Sequence, residues 1–349
     1  MAEEIFSNSA HNSTPAPPQA AAPEGGAASQ APVAPVTLGT WSLISDANWG
    51  EQKRADSVAA IETCIEEGIN SFDTAPMYGA GASETLLGEV LENRRERVFI
   101  ASKVMAPLTA AGVRASCEGS LRRLRTDHID LYQIHWPDRN TPTGETAEAL
   151  LKLKEEGKIR AIGVCNFGPR DLREAARLMP VATDQMPYSL LWRGVEFEVL
   201  PLCRSLGIRL MTYSSLMQGL LTGKFASAAD VPEGRARTRH FSARGRPKIK
   251  HGGAGHEQAT FAAIRRINEV CAEEGIAVSV ASLAVLLAEP VVGTVIMGAR
   301  NAAQARENAR VLRTPLRGET IRRLLAAGEE LKHKIGNELD PWMTPSRVR

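Results

Sequence analysis

In the middle of this chain, polar residues close one short apolar run after another. Asp73 ends SFD with Tyr78 five residues on in TAPMYG, Lys103 ends FIASK, and His135 ends LYQIH. Asn166 follows GVC, Gln185 ends ATDQ, and Tyr213 and Ser214 end LMTYS. A phenol with a pKa of about 10 exchanges protons poorly at neutral pH, and lowering it by two or three units takes about 3 to 4 kcal/mol in favour of phenolate. An ammonium about 4 Å away supplies about 4 kcal/mol at an effective dielectric near 20. Lys103 has the sign and magnitude to acidify Tyr78, Asp73 would keep that lysine charged and aimed, and His135 would orient the reacting oxygen. Such a set donates a proton to a carbonyl oxygen or removes one from an alcohol. It contains no redox group, so a hydride has to come from a cofactor. Singly, Asp73 reads equally well as a helix cap, Lys103 as a solvated lysine and His135 as a satisfied buried imidazole. Their coincidence at one end of successive strands is what those readings do not supply.

The elements that must position these residues alternate. Runs rich in β-branched residues predict strands at 36–39, 70–73, 98–103, 129–135, 159–164, 182–185, 208–213 and 292–297. Helical periods lie between them at 52–67, 83–92, 110–125, 145–156, 169–178, 196–206, 258–288 in two pieces, and 301–312. Glycine exits in EEGIN, EEGKIR, SLGIR and EEGIA mark where a helix stops and a strand begins. Eight such units over about 300 residues predict a closed (β/α)8 TIM barrel. It forms a single α/β domain over 36–334, with 335–349 as a C-terminal extension. A doubly wound sheet would carry G-x-G-x-x-G after its first strand, and GTWSLISD stands there instead. In a barrel the C-terminal strand ends share one mouth, which gathers the polar residues above.

Composition is that of an ordinary globular chain: 349 residues, 43% hydrophobic, 23% charged, 42 Lys and Arg against 40 Asp and Glu. A formal charge of +2 selects neither nucleic acid nor an anionic membrane as partner. Cys64, Cys117, Cys165, Cys203 and Cys271 are scattered, with no CxxC pair and no zinc-like cluster, so a reduced, cytoplasmic setting without a bound metal is expected. No apolar run is long enough to cross a bilayer. Residues 1–35 hold 10 Ala, 6 Pro and no Lys or Arg, too little apolar surface to offset ordering, which predicts a disordered tail.

The motifs LGTW, INSFDTAPMYGAGASETLLGEVL, FIASKV, DLYQIHWPD, KIRAIGVCNF, YSSLMQGLLTGKF and VIMGARNAAQARENA, in this order between Val36 and Lys334, resemble those of the aldo-keto reductase superfamily of nicotinamide-dependent barrel enzymes. The resemblance implies a tetrad of Asp73, Tyr78, Lys103 and His135, with Tyr78 as general acid/base and hydride passing between the nicotinamide and a substrate carbon. It implies that Gly39, Thr40 and Trp41 adjoin the cofactor, that Asn166 and Gln185 hold the carboxamide, and that the Tyr213 ring stacks beneath the nicotinamide. Ser214, Leu216, Gln218, Gly219 and Lys224 resemble a pyrophosphate-covering segment. Gly298, Ala299, Arg300, Gln304, Glu307 and Asn308 resemble an adenosine-end motif. Arg300 suits a 2′-phosphate, which favours NADPH and leaves NAD open; a solvated helix residue is its plainer reading. Trp41 and Trp136, with Tyr78 and His135, are implied to line the substrate site, joined by Trp49, for a small aldehyde, ketone, sugar or polyol. Cys165 stands where the family more often has serine, Met297 where many members have proline, and the usual N-terminal hairpin under the barrel is absent, which suggests an open or partner-covered floor.

Between Gly234 and His256 lie seven basic residues and no acid: Arg235, Arg237, Arg239, Arg244, Arg246, Lys248 and Lys250. They read as a solvated loop or as a lid over a pyrophosphate or anionic substrate. Two other functions fit parts of the pattern. A Schiff-base aldolase would need only Lys103, and a redox-sensing barrel resembling potassium-channel β subunits would keep the same tetrad.

Overall fold

The computed structural model describes residues 34–349. Eight strands form in it: β1 (Val36–Gly39), β2 (Ser71–Asp73), β3 (Phe99–Val104), β4 (Ile129–Ile134), β5 (Ile159–Cys165), β6 (Val181–Pro187), β7 (Arg209–Tyr213) and β8 (Val292–Gly298). Each pairs in parallel with the next, and β1 closes on β8 with Leu38 opposite Met297, giving a closed barrel in sequence order. The expected strands are thus all present, displaced by no more than two residues at any end.

Helices α1 (Arg54–Glu66), α2 (Ala82–Leu91), α3 (Ala110–Leu124), α4 (Thr143–Glu155), α5 (Pro169–Leu178), α6 (Val199–Leu206), α7 (Glu257–Glu273), α8 (Val278–Leu287) and α9 (Ala302–Ala309) are the described connecting helices, with α7 and α8 both between β7 and β8 and α9 following β8. Local chemistry sets their ends. Thr109 caps α3 by accepting from the Gly112 N–H, Asn301 caps α9 by accepting from the Gln304 N–H, and Pro169 opens α5. The four glycines of the predicted exits, Gly68, Gly157, Gly207 and Gly275, all have positive φ, the left-handed backbone that stops a helix.

Inside the barrel, Phe99, Ala101, Leu131, Ala161, Met211 and Ile296 form a plug of apolar side chains, and burying one large member stabilises by about 1.5 to 3 kcal/mol. Toward the N-terminal strand ends the hydroxyls of Thr37, Ser71 and Thr294 bond one another. Above the plug comes a layer of Asp73, Lys103, Gln133, Cys165 and Gln185, all buried. The apolar faces of the strands and most helices pack as a main core outside the barrel wall, and a second apolar cluster forms around α7.

Three features depart from expectation. The segment expected as a helix from residue 196 begins with a 3-10 turn, Gly194–Glu196, and becomes α-helical only at Val199. Two further helices, α10 (Gly318–Ala327) and α11 (Glu329–Ile335), follow β8 and pack on α7. The expected C-terminal extension does not stand apart: Asp340 is fully buried, and Trp342, Met343 and Arg347 reach the barrel mouth. The predicted tail lies outside the described residues except for residues 34 and 35. No single helix among the described residues is long and apolar enough to cross a membrane.

Candidate active site

Tyr78 sits on a tight turn between β2 and α2. The sequence MYGAGASE supplies what that turn demands, because Gly79, Ala80 and Gly81 all have positive φ, and a Cβ at Gly79 would come within 2.4 Å of Ile44. A buried chain of hydroxyls pins the turn: Thr74 to Ser83 at 2.9 Å, Ser83 to Thr40 at 2.7 Å, and Thr40 to the Asp73 carbonyl at 2.9 Å.

Beneath it, β3 delivers Lys103, which is completely buried. Its ammonium has three protons and three acceptors: Asp73 Oδ1 at 2.6 Å, the Thr74 carbonyl at 2.8 Å and the Tyr78 hydroxyl at 3.3 Å. Burial alone would lower the Lys103 pKa, but the surrounding groups, the Asp73 carboxylate first among them, together outweigh it and hold it above the ordinary range. Asp73 Oδ2 in turn accepts from Gln185 Nε2 at 2.8 Å and Gln133 Nε2 at 3.3 Å. Gly163 leaves room for that brace, since a Cβ there would lie 3.0 Å from Gln133 Cγ.

The expected acidification of Tyr78 is overturned. Burial pushes the phenol up, the Lys103 charge only partly offsets it, and the pKa settles at about 12. The sequence reasoning weighed the cation and left out desolvation, which here is the larger effect. Tyr78 is therefore a neutral phenol at physiological pH. His135 is held neutral as well, well below its usual pKa, by burial and then by the Lys103 and Arg347 charges. Its ring meets that of Tyr78 edge to face at 6.0 Å, and Nδ1 has no partner among the described residues.

Around this cluster lies a pocket of about 990 Å³. Every residue expected at the cofactor or substrate lines it except Ala299, whose side chain is buried in the outer core; Lys103 is fully buried and does not line it. Asn166, held at φ 62°, donates to the His135 carbonyl at 3.0 Å and accepts from the Tyr213 hydroxyl at 2.8 Å. The Cys165 thiol donates to Gln133 Oε1 at 3.5 Å, inside the same network. After β7, Ser214, Met217 and Gln218 take positive φ, an uncommon conformation that gathers at ligand clamps. Both polar atoms of the Gln218 amide are buried there without a partner among the described residues.

One side of the pocket is cationic. Lys224, Arg235, Arg237, Lys248, Lys250 and Arg300 line it, and none of them has an acid within 4 Å among the described residues. Lys224 is pushed down by burial and then by Arg235 and Arg300; Arg235 is pushed down by burial and then by Arg300. These charges repel one another. Arg300 is not a solvated helix residue. Its guanidinium donates to Gln52 Oε1 at 2.9 Å, to the Trp49 carbonyl at 2.8 Å and to the Glu51 carbonyl, using three of its five N–H groups. Of the basic loop, Arg235, Arg237, Lys248 and Lys250 face the pocket, Arg239 donates to the Met343 carbonyl and Thr344, and Arg246 lies over Phe241.

Sequence reasoning missed the C-terminal wall. Arg347 lies 3.5 Å from the centre of the Trp136 ring and is paired to Asp340 at 2.7 and 3.0 Å. Leu339, Trp342, Met343 and Val348 were the apolar signals that parts of this segment pack against the barrel. Trp49 does join the wall, edge to face with Trp41 at 5.6 Å. No group of three or more His, Cys, Asp or Glu among the described residues is arranged to hold a metal ion.

The model of the Aldo/keto reductase family matches residues 35–329. The chain is 40% identical over 200 residues to the aldo-keto reductase YhdN of Bacillus subtilis, a match covering 54% of this chain and 60% of that relative, under two thirds of its length. Among solved structures it is similar to the glycerol dehydrogenase AKR11B4 of Gluconobacter oxydans, with a TM-score of 0.71, 30% identity, and 88% of this chain and 94% of that one covered. It is also similar to an aldo/keto reductase of Klebsiella pneumoniae in complex with NADP and acetate, with a TM-score of 0.66, 29% identity, and 89% and 95% covered.

Proposed function

The chain belongs to the aldo/keto reductase family, and from that premise we propose that it is an NADP(H)-dependent oxidoreductase interconverting a small carbonyl compound and its alcohol. The observation that carries the reading is Lys103, with its ammonium shared among Asp73, Thr74 and a Tyr78 hydroxyl on the wall of the pocket.

When bound, the dinucleotide supplies or accepts the hydride. The cationic lobe fits such a ligand: Lys224, Arg235 and Arg300 would hold its phosphates, and the unpartnered Gln218 amide and the left-handed turn at 214–219 would receive its pyrophosphate. Two N–H groups left on Arg300 suit a 2′-phosphate, and the solved Klebsiella neighbour holds NADP, so NADPH is preferred to NADH. Asn166 and Gln185 would hold the carboxamide, with the Tyr213 ring beside it.

The chain's own groups handle the proton. A neutral His135 imidazole and the Tyr78 hydroxyl border the same space, where both can hydrogen-bond one carbonyl oxygen. As negative charge develops on that oxygen, Tyr78 gives up its proton, and Lys103, whose charge is fixed by Asp73, stabilises the phenolate left behind. Asp73, braced by Gln185 and Gln133, keeps the lysine in place throughout. Trp41, Trp136 and Trp49 give the substrate apolar walls.

The test is fluorescence titration with NADPH and NADH, followed by turnover of several aldehydes by the protein and its Tyr78→Phe variant. The variant should bind NADPH and lose about 100- to 10,000-fold in kcat. Turnover that survives the substitution within a few-fold would remove Tyr78 from the mechanism.

A further inference from the structure

Arg237 stands in a column of rings. Its guanidinium lies 5.7 Å from the centre of Trp41 and 5.1 Å from that of Trp342, and Trp41 stacks on the Tyr78 ring at 6.0 Å with the planes 17° apart. The column therefore runs Tyr78, Trp41, Arg237, Trp342. No acid among the described residues forms an ion pair with its charged member. The acid that bears on it, Asp46, spends Oδ2 on the Trp41 indole N–H at 2.8 Å, and Oδ1 on the backbone N–H groups of Asn48 and Trp49 at 2.8 and 2.6 Å. Arg237 Nε donates to the Gly234 carbonyl at 2.7 Å, and its terminal N–H groups have no partner among the described residues.

Across the pocket, Arg347 lies flat on Trp136, next in sequence to His135. Asp340 takes its Nε and one terminal nitrogen, while Nη1 has no partner among the described residues. Its charge reaches both His135 and Tyr213. Lys224, Arg235 and Arg300 form another group, with Arg235 and Arg300 bearing on Lys224 and Arg300 bearing on Arg235. The pocket's cations also include Lys248 and Lys250; of the others, Lys224, Arg235 and Arg300 would face the proposed dinucleotide phosphates, while Arg237 and Arg347 lie against the rings beside the proposed proton donor.

We propose that Arg237 and Arg347 form an oxyanion receptor on the substrate side, so that the preferred substrates are aldehydes or ketones carrying a carboxylate or phosphate remote from the carbonyl. The proposal rests on the reductase reading above and names the substrate class for it. The Arg237 guanidinium is held near both indoles and by the Gly234 carbonyl before a ligand arrives, and such a planar fork binds carboxylate or phosphate through paired hydrogen bonds. The same indoles exclude water from the contact, which strengthens it.

The experiment compares 4-formylbenzoate with its methyl ester, which is uncharged and has the more electrophilic carbonyl, so that intrinsic reactivity works against the expected preference, and with 4-formylphenyl phosphate. The wild-type kcat/KM should favour an anionic aldehyde over the ester by about tenfold or more, and whichever anion is preferred identifies the source of the oxyanion. In Arg237→Met that ratio should fall toward one, and Arg237→Lys should recover part of it. Arg347 also neutralises buried Asp340, so its share is read in the Asp340→Asn/Arg347→Gln double variant, which removes both charges together. Equal wild-type turnover of acid and ester, equal losses on both in Arg237→Met, or a weakened NADPH Kd in that variant would each overturn the receptor. Tryptophan fluorescence of the NADP-loaded protein reads 4-formylbenzoate binding independently of turnover. Tight, Arg237-dependent binding without reduction of any aldehyde keeps the receptor and sinks the reductase; reduction without anion preference does the opposite.

Discussion

Two regions of one pocket handle charge in opposite ways. At the mouth of the barrel, Lys103 and Asp73 are both buried and closed on themselves, with all three ammonium protons and both carboxylate oxygens engaged. In the lobe beyond, Lys224, Arg235 and Arg300 repel one another, and no acid is paired with them among the described residues. The first region is carried by strands and by a turn pinned with buried hydroxyls; the second is carried by loops and by the chain just after β8. A network that is complete by itself can preorganise a reaction, whereas a set of unpaired cations stores repulsion that only an incoming anion relieves.

The contrast can be broken by experiment. Lys103→Met should destabilise the fold by about 3 to 5 kcal/mol in urea unfolding, because it strands the buried Asp73 carboxylate, and it should abolish turnover. The double variant Lys224→Met/Arg235→Met should do the reverse to stability, leaving the protein without cofactor unchanged or more stable by less than about 1 kcal/mol, while weakening NADPH binding about 10- to 100-fold. A double variant that loses stability instead would mean that those cations support the fold. Added salt should weaken NADPH binding to the wild type and do so less steeply in that double variant, since screening acts on the partly exposed lobe and little on the buried pair. The smallest effect concerns pH. With Tyr78 protonated up to about 12 and His135 held neutral below its usual pKa, reductive kcat should stay level from about pH 6 to 9. Alcohol oxidation needs the phenolate, whose fraction rises with pH, so it should climb steadily over the same range. A reductive rate that falls on the alkaline side near neutrality would show a phenol far more acidic than this site makes it.

How much could be read beforehand follows the same division. Strand positions were legible because β-branched runs of fixed length repeat between helical periods, and the polar residue at each strand end marked the mouth. The C-terminal wall was not, since Trp342, Met343 and Arg347 lie in a short segment with no period to read, and the helices α10 and α11 before it were not expected. Arg300 was singled out, but its clasp on Trp49, Glu51 and Gln52 joins positions about 250 apart in the chain.

The acidity of Tyr78 gives the sharpest boundary. Residue types and spacing determined which groups meet: a barrel in sequence order brings the ends of β2, β3 and β4 side by side, and with them Asp73, Lys103 and His135. Whether the phenol among them is acidic depends on a balance between one nearby cation and the water removed by every surrounding side chain. The first can be guessed from a lysine in the sequence. The second is a sum over three-dimensional neighbours, so tertiary structure alone decided that burial outweighs the cation.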